Sequence, residues 1–169
     1  MKKTIALIMI LLFCLPASGC IFGLEKHTNT APGANEFGEG KVFTGEGYTV
    51  TLTDKFEERK SSQGFDGYYV SSFCGVMVKK EPFASAEGRK NLNLSQYLVS
   101  VAENNEHKAT VTEEDGLTYY RYYRDGNAGW LFGFEGEDSY YLVQFVCRED
   151  HEEALNDQIF AFARSVTVK

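Results

Sequence analysis

The sequence contains few of the residues and motifs from which common catalytic sites are built. Histidine occurs three times, as His27, His107 and His151, and none has a nearby partner that would suggest a catalytic triad or a metal site. A glycine-rich phosphate loop, an HExxH motif and a GxSxG motif are all absent. These absences predict solvent-exposed histidines and favour a protein that uses no catalytic constellation, cofactor or metal ion.

Basic residues are in the minority. The chain has 17 Lys and Arg against 24 Asp and Glu, a net charge of −7. Residues 1–19 contain two of the basic residues and no acidic one, so the remaining chain has 15 against 24, a net charge of −9. Because nucleic acid and anionic lipid repel an acidic surface, the composition argues against either as a direct ligand.

No apolar run is long enough for a membrane-spanning helix, which needs about twenty apolar residues. The strongest such run covers residues 5–16 and contains no charge, and Lys2 and Lys3 precede it. A positive start and a short apolar run that ends in small residues are typical of a signal peptide. The pattern therefore predicts export across a membrane.

The end of this segment has a distinctive cysteine. Ala17, Ser18 and Gly19 stand directly before Cys20, an arrangement that resembles the lipobox of bacterial lipoproteins. The resemblance implies a signal peptide over residues 1–19 and a diacylglyceryl group on Cys20, which becomes the first mature residue. The sequence departs from the usual lipobox at Ala17, where leucine is favoured, and an ordinary secretory signal with an unmodified Cys20 is the alternative.

The residues that follow are predicted to form a tether and one domain. Residues 20–40 are rich in Gly, Ala, Asn, Thr and Pro without an apolar period, and a flexible chain of this length spans about 25 Å. Residues 41–169 are enough for a single domain with its own core. Apart from Cys20, only Cys74 and Cys147 remain in the mature chain. An oxidising compartment favours a disulfide between them, with two buried thiols or a metal pair as alternatives.

The domain reads as mostly antiparallel strands with two helices. Residues 48–53 alternate apolar and polar side chains, and strands at 109–112, 117–124, 129–135 and 139–148 follow one another across turns that contain Gly and Asp. A helix over 94–103 has a capping box of Asn93 and Gln96, and a second over 150–164 has one of Asp150 and Glu153. This order of elements is typical of an α+β fold.

Three segments resemble the PsbP-like family, whose members include many small bacterial lipoproteins. They are the helix at 94–98, the strand at 140–145 and the closing segment at 160–166, within a likeness that spans 46–168. The resemblance implies an α/β/α sandwich around an antiparallel sheet of about six to seven strands, with two main helices packed on it. It also suits a structural role, because the best-known member of that family supports a larger assembly.

An excess of aromatic residues provides the candidate binding surface. Alternation along strand 117–124 places its tyrosines on both faces of the sheet, and a tryptophan lies on the next strand. The two interpretations are a core covered on both sides and an open platform for a sugar, peptide or protein, because Tyr and Trp offer rigid amphipathic area. The candidate surface consists of Tyr119, Tyr120, Tyr122, Tyr123 and Trp130.

Together these patterns favour a membrane-tethered, extracytoplasmic lipoprotein with a non-catalytic binding or accessory domain. Its predicted contacts are a membrane through the N-terminal lipid and a protein, peptide or glycan partner. The alternatives are a cell-envelope hydrolase that uses carboxylates and a structural subunit of an envelope complex. The anchor could lie in the cell membrane or in an outer membrane, and Ile21 is not the Asp that resembles an inner-membrane retention signal.

Overall fold

A computed structural model describes residues 37–61, 64–83 and 92–169. The predicted signal peptide, Cys20 and most of the predicted tether lie outside these residues. Within them, no helix is both long and apolar enough to span a membrane. The elements are β1 Gly40–Gly45, β2 Tyr48–Thr53, β3 Glu57–Glu58, β4 Gly67–Val70, β5 Cys74–Pro82, α1 Leu94–Asn104, β6 Thr112–Glu114, β7 Leu117–Arg124, β8 Asn127–Glu135, β9 Ser139–Arg148, α2 Glu152–Arg164 and β10 Thr167–Val168.

The strands form two antiparallel sheets. The larger has seven strands in the order β3-β4-β5-β9-β8-β7-β6, and the smaller has three in the order β1-β2-β10. The predicted α+β class, with an antiparallel sheet of six to seven strands and two helices, is confirmed. The separate three-stranded sheet was not predicted, because its strand β10 comes from the extreme end of the chain.

Helix α1 begins where the sequence predicts. The Asn93 side chain accepts a hydrogen bond from the Gln96 backbone, and the Gln96 side chain accepts one from the Asn93 backbone, so the predicted capping box is present. These two bonds satisfy donors that the first helical turn would otherwise leave unpaired. The buried stripe of α1, Tyr97, Leu98 and Val101, packs on one face of the large sheet, which we call the α1 face.

Helix α2 begins differently from the prediction. A single 3₁₀ turn, Glu149–His151, precedes it, and His151 occupies the N-cap position without a side-chain cap bond. The Asp150 carboxylate instead accepts a hydrogen bond from Arg148 Nε at 2.9 Å, so the predicted capping box of Asp150 and Glu153 is wrong. The extra turn buries His151, which is 3% exposed, and the predicted surface position of this histidine is also wrong.

The opposite face of the large sheet is covered by two elements. Leu155 and Ile159 of α2, together with Val50 and Leu52 of β2, belong to the same buried cluster as the sheet residues Val76, Trp130, Phe132, Val143 and Phe145. We call this side the α2 face. The large sheet is therefore the middle layer of a sandwich, with α1 on one side and α2 with the small sheet on the other.

Candidate functional site

Strand β7 is longer than the strand that covers its outer edge. Two tight turns, at Asp115-Gly116 and Asp125-Gly126, adopt the positive φ angles that two-residue hairpins require. They fix the pairing of β7 with β6 on one side and with β8 on the other. Strand β6 pairs only with residues 117–119, whereas β8 pairs with residues 118–124. Residues 120–124 therefore have no strand on their outer side, and we call this segment the β7 edge.

The register decides which backbone groups the β7 edge leaves unpaired. Arg124 and Asn127 form the hydrogen-bonded pair that closes the hairpin. The backbone groups of Tyr120, Tyr122 and Arg124 therefore bond to β8. The N–H and C=O groups of Arg121 and Tyr123 consequently point outward. Among the described residues, no backbone hydrogen bond joins these four groups to another segment. The edge thus presents donors and acceptors at the spacing that another extended chain would pair with.

On the α2 face, the edge carries an exposed aromatic ring held by charged neighbours. Tyr123 is 57% exposed, and its hydroxyl donates to Glu152 Oε1 at 2.8 Å. The Arg121 guanidinium forms an ion pair with the same carboxylate and lies 5.1 Å from the centre of the Trp130 ring. Glu152, in the first turn of α2, therefore positions both side chains.

On the α1 face, the half-buried side chain of His107 covers part of the β7 edge. The His107 ring stacks on the Tyr122 ring at 3.9 Å with planes 5° apart, and His107 Nδ1 lies 3.1 Å from the Tyr120 hydroxyl. Burial, and then the nearby Arg124 charge, lower the pKa of His107 to about 4. The imidazole is therefore neutral near pH 7. The Gln144 amide donates to the Tyr122 hydroxyl beneath it, so this side of the edge is largely closed.

The chain is similar in structure to several proteins of low sequence identity. The solution structure of cyanobacterial PsbP (CyanoP) from Synechocystis sp. PCC 6803 has a TM-score of 0.56 at 12% identity, over 83% of this chain and 99% of that one. This chain has a PsbP-like fold. Two further crystal structures, from Bacteroides thetaiotaomicron and of PA94 from Pseudomonas aeruginosa, have TM-scores of 0.49 and 0.41 at 8% and 11% identity. The match to the first covers 79% of this chain and 49% of that chain. The match to the second covers 78% of this chain and 99% of that chain. No protein-family model and no curated protein matches the chain.

Within the PsbP-like fold, the predicted aromatic platform does not exist. The alternation is as predicted, because Tyr119 lies on the α2 face and Tyr120 and Tyr122 lie on the α1 face. Tyr119, Tyr120, Tyr122 and Trp130 are nevertheless all buried, and only Tyr123 of the five is exposed. The open-platform interpretation assumed that two helices are too few to cover both faces of the sheet. In the structure, α2 and the small sheet together cover the α2 face, and Phe160 of α2 packs edge-on against the Tyr119 ring.

The predicted cysteine pair is adjacent, but the structure does not show the predicted disulfide. Cys74 and Cys147 are free thiols, and they are direct partners in the register of β5 and β9. The Cys74 backbone bonds to Ser71 instead of β9, which makes this a non-hydrogen-bonded pair with a Cα separation of about 4.5 Å. Disulfides occur at Cα separations of about 4.4–6.8 Å, so a pair in this register is close enough to be bonded.

Both thiols are poor nucleophiles as they stand. Burial and then the neighbouring Cys147 raise the pKa of Cys74, whereas burial and then Asp150 raise the pKa of Cys147 to about 12. Among the described residues, the two cysteines have no further ligands with which to bind a metal ion. The part of the chain that the structure describes contains no group of three His, Cys, Asp or Glu arranged to hold an ion. A structural role in the core is what the environment of the two thiols favours.

Proposed function

We propose that this chain is an extracytoplasmic lipoprotein whose PsbP-like domain binds an extended segment of a partner protein along the β7 edge. The observation that carries the proposal is the set of four unpaired backbone groups on Arg121 and Tyr123, beside the exposed Tyr123 ring. The role is that of a non-catalytic accessory domain. The membrane anchor is proposed from the sequence at Cys20.

The geometry of the edge favours a polypeptide over a glycan. In β-strand addition, main-chain hydrogen bonds supply affinity, and side chains that alternate between the two faces supply specificity. Pairing with Arg121 and Tyr123 would place a partner side chain opposite each of them on the α2 face. An aromatic or β-branched residue opposite Tyr123 would cover that ring, whose hydroxyl is already satisfied by Glu152.

The short length of the edge suits reversible binding. Two residues offer four backbone hydrogen bonds, each with a net contribution of about 0.5–1.5 kcal/mol. The charged Arg121 and Arg124 discourage uncontrolled sheet extension along the same strand. A lipid anchor on Cys20 would compensate for weak binding, because confinement to one membrane raises the effective concentration of an envelope partner.

The first test places a photo-crosslinking amino acid, benzoylphenylalanine, at Tyr123 in cells that produce the full chain. We expect crosslinks to one predominant envelope protein, identified by mass spectrometry. The matched control carries the same group at Val99, which is 43% exposed on α1 and lies on the other side of the large sheet from Tyr123. Equal crosslinking from both positions would contradict a binding site at the edge.

A proline at Tyr123 provides the loss-of-binding prediction. Proline is tolerated on an edge strand where its missing N–H faces solvent, so Tyr123→Pro should leave the ladder to β8 intact. It removes one outward donor and the exposed ring, and we expect capture of the crosslinked partner by the purified lipoprotein to fall about 10-fold, or 1.4 kcal/mol. Tyr123→Phe, which keeps ring and donor, should bind nearly as well, and unchanged capture by Tyr123→Pro would refute the proposal.

The extracytoplasmic location also predicts the redox state of the cysteines. We expect Cys74 and Cys147 to bond in the exported protein, each thiol losing one hydrogen as the disulfide of a thiol oxidant is reduced to two thiols. The bond should form before burial, since both thiols are inaccessible in the fold. Iodoacetamide under denaturing conditions should then label neither cysteine until a reductant is added. Two labels without reductant, in protein isolated from cells, would contradict this prediction.

A further inference from the structure

The longest unpaired strand edge among the described residues belongs to β1. This strand ends the small sheet and pairs with β2 through all six of its residues. The Gly45–Tyr48 pair closes a two-residue hairpin, so Gly45, Phe43 and Lys41 bond to β2. The backbone groups of the alternate residues, Gly40, Val42 and Thr44, point away from the sheet. None of these six groups takes part in a hydrogen bond within the described chain.

This edge has little of the usual protection against pairing, because β1 contains one charged residue, Lys41, whose backbone groups bond to β2. Natural edge strands are blunted by proline, by bulges or by charged side chains. Here the three outward-bonding residues, Gly40, Val42 and Thr44, carry no charge, and the β1–β2 register has no bulge. Val42, at the centre, is 62% exposed. An exposed valine flanked by a glycine and a threonine is a surface that another strand can approach closely.

We propose that the outer edge of β1 pairs with β1 of a second copy of this chain, antiparallel about Val42. In this register Val42 lies opposite Val42 of the second copy, and Gly40 lies opposite Thr44 of the second copy. All three outward-bonding residues of each copy are then used, which gives six hydrogen bonds across a two-fold axis. The two small sheets join into one six-stranded sheet.

The side chains select this register over its neighbours. On the inner side of the strand, Lys41 lies opposite Phe43 of the second copy, and its ammonium already lies 4.8 Å from the centre of its own Phe43 ring. An ammonium over an aromatic ring is attracted to it. A shift that centres the pairing on Lys41 would oppose two like charges and keep fewer hydrogen bonds. A shift that centres it on Phe43 likewise loses bonds, so self-pairing about Val42 is the best match.

The interface is small, and its occupancy depends on where the protein is. One pair of short strands buries less area than a typical stable dimer of about 1,200–2,000 Å². We therefore expect the pairing to be populated where copies are confined together, as on a membrane surface, and weak in dilute solution. This surface is on a different sheet from the β7 edge, so each surface can be altered without changing the other, although both proposals use the same membrane confinement.

The test uses the full chain in native membranes with Val42→Cys. Residues opposite each other in a hydrogen-bonded pair have Cα atoms about 5.5 Å apart, within the range of disulfides. Copper phenanthroline should therefore yield a covalent dimer on a non-reducing gel. Val99→Cys is the matched control, since it is also an exposed valine, and its dimer should be several-fold weaker. Equal dimer formation by the two variants would overturn the proposal.

A second variant separates strand pairing from random collision. Thr44→Pro in the Val42→Cys protein removes an outward N–H without touching a bond to β2, so it should lower the crosslinked fraction several-fold. Thr44→Ser, which keeps the N–H, should retain it. Circular dichroism melting of the variants checks that the fold is kept. Crosslinking that survives Thr44→Pro in a folded protein would exclude β1 pairing as its cause.

Discussion

Replacement of Trp130 by alanine is expected to lower the free energy of unfolding by about 3–5 kcal/mol, the usual cost of truncating a large buried ring. Trp130 has no exposed surface and belongs to the main core cluster on the α2 face. The Arg121 guanidinium stacks on its ring, so the substitution also removes the support of one side chain of the β7 edge. Urea denaturation followed by circular dichroism measures the change.

Tyr123→Ala is the matched control for this prediction, because it also truncates an aromatic residue of the same region. Its ring is mostly exposed, and its hydroxyl bond to Glu152 lies at the surface. We expect a loss below about 1 kcal/mol, as for ordinary surface substitutions. If Trp130→Ala also lowered the free energy of unfolding by less than about 1 kcal/mol, the tryptophan would not be part of the core. That result would again favour the open-platform interpretation.

The features that the sequence predicts correctly depend on neighbouring residues. The predicted bounds of β7 at 117–124 and of β9 at 139–148 agree with the structure. Both the alternation of apolar and polar side chains and the glycine-containing turns depend on residues that are close together in the sequence. The capping box of Asn93 and Gln96 spans only three residues. Even the division of the tyrosines of β7 between two faces follows from a period of two.

The features that the sequence does not predict depend on residues far apart. Strand β10 joins β2 through the Thr49 and Thr167 hydroxyls, 2.7 Å apart and separated by 118 positions. No local pattern at residues 167–168 indicates this contact, yet it completes the small sheet. That sheet shares the cover of the α2 face with α2, whose Phe160 packs edge-on against the Tyr119 ring, so its omission contributed to the wrong expectation of an exposed platform.

The candidate site was missed for a smaller reason, an error in the bounds of one strand. The sequence predicts the partner of β7 at residues 109–112, whereas β6 is Thr112–Glu114. The Asp115-Gly116 turn holds these three residues against the start of β7. The preceding residues, 108–111, do not extend this ladder, so the second half of β7 stays uncovered. The observed strand begins three residues and ends two residues later than predicted, and this shift leaves the edge free to receive another chain.

Cys20→Ser is expected to remove the domain from the membrane fraction, or to leave an uncut precursor, without changing its melting temperature. Two acyl chains on Cys20 would anchor the protein stably, whereas a single weak attachment would not. The described core begins only at Phe37, so the loss of Cys20 should not disturb it. Cell fractionation with immunoblotting and mass spectrometry of the mature N-terminus measure the result.

Cys14→Ser provides the control, because residue 14 lies in the apolar run of the predicted signal peptide and leaves with it. This variant should be lipidated and retained in the membrane like the unaltered protein. If Cys20→Ser loses its signal peptide and still fractionates with membranes as fully as Cys14→Ser does, and the mature N-terminus of the unaltered protein carries no diacylglyceryl cysteine, then the anchor is not at Cys20. The membrane confinement that both binding proposals use would then come from another attachment, and the lipid on Cys20 would no longer explain how weak strand edges are occupied.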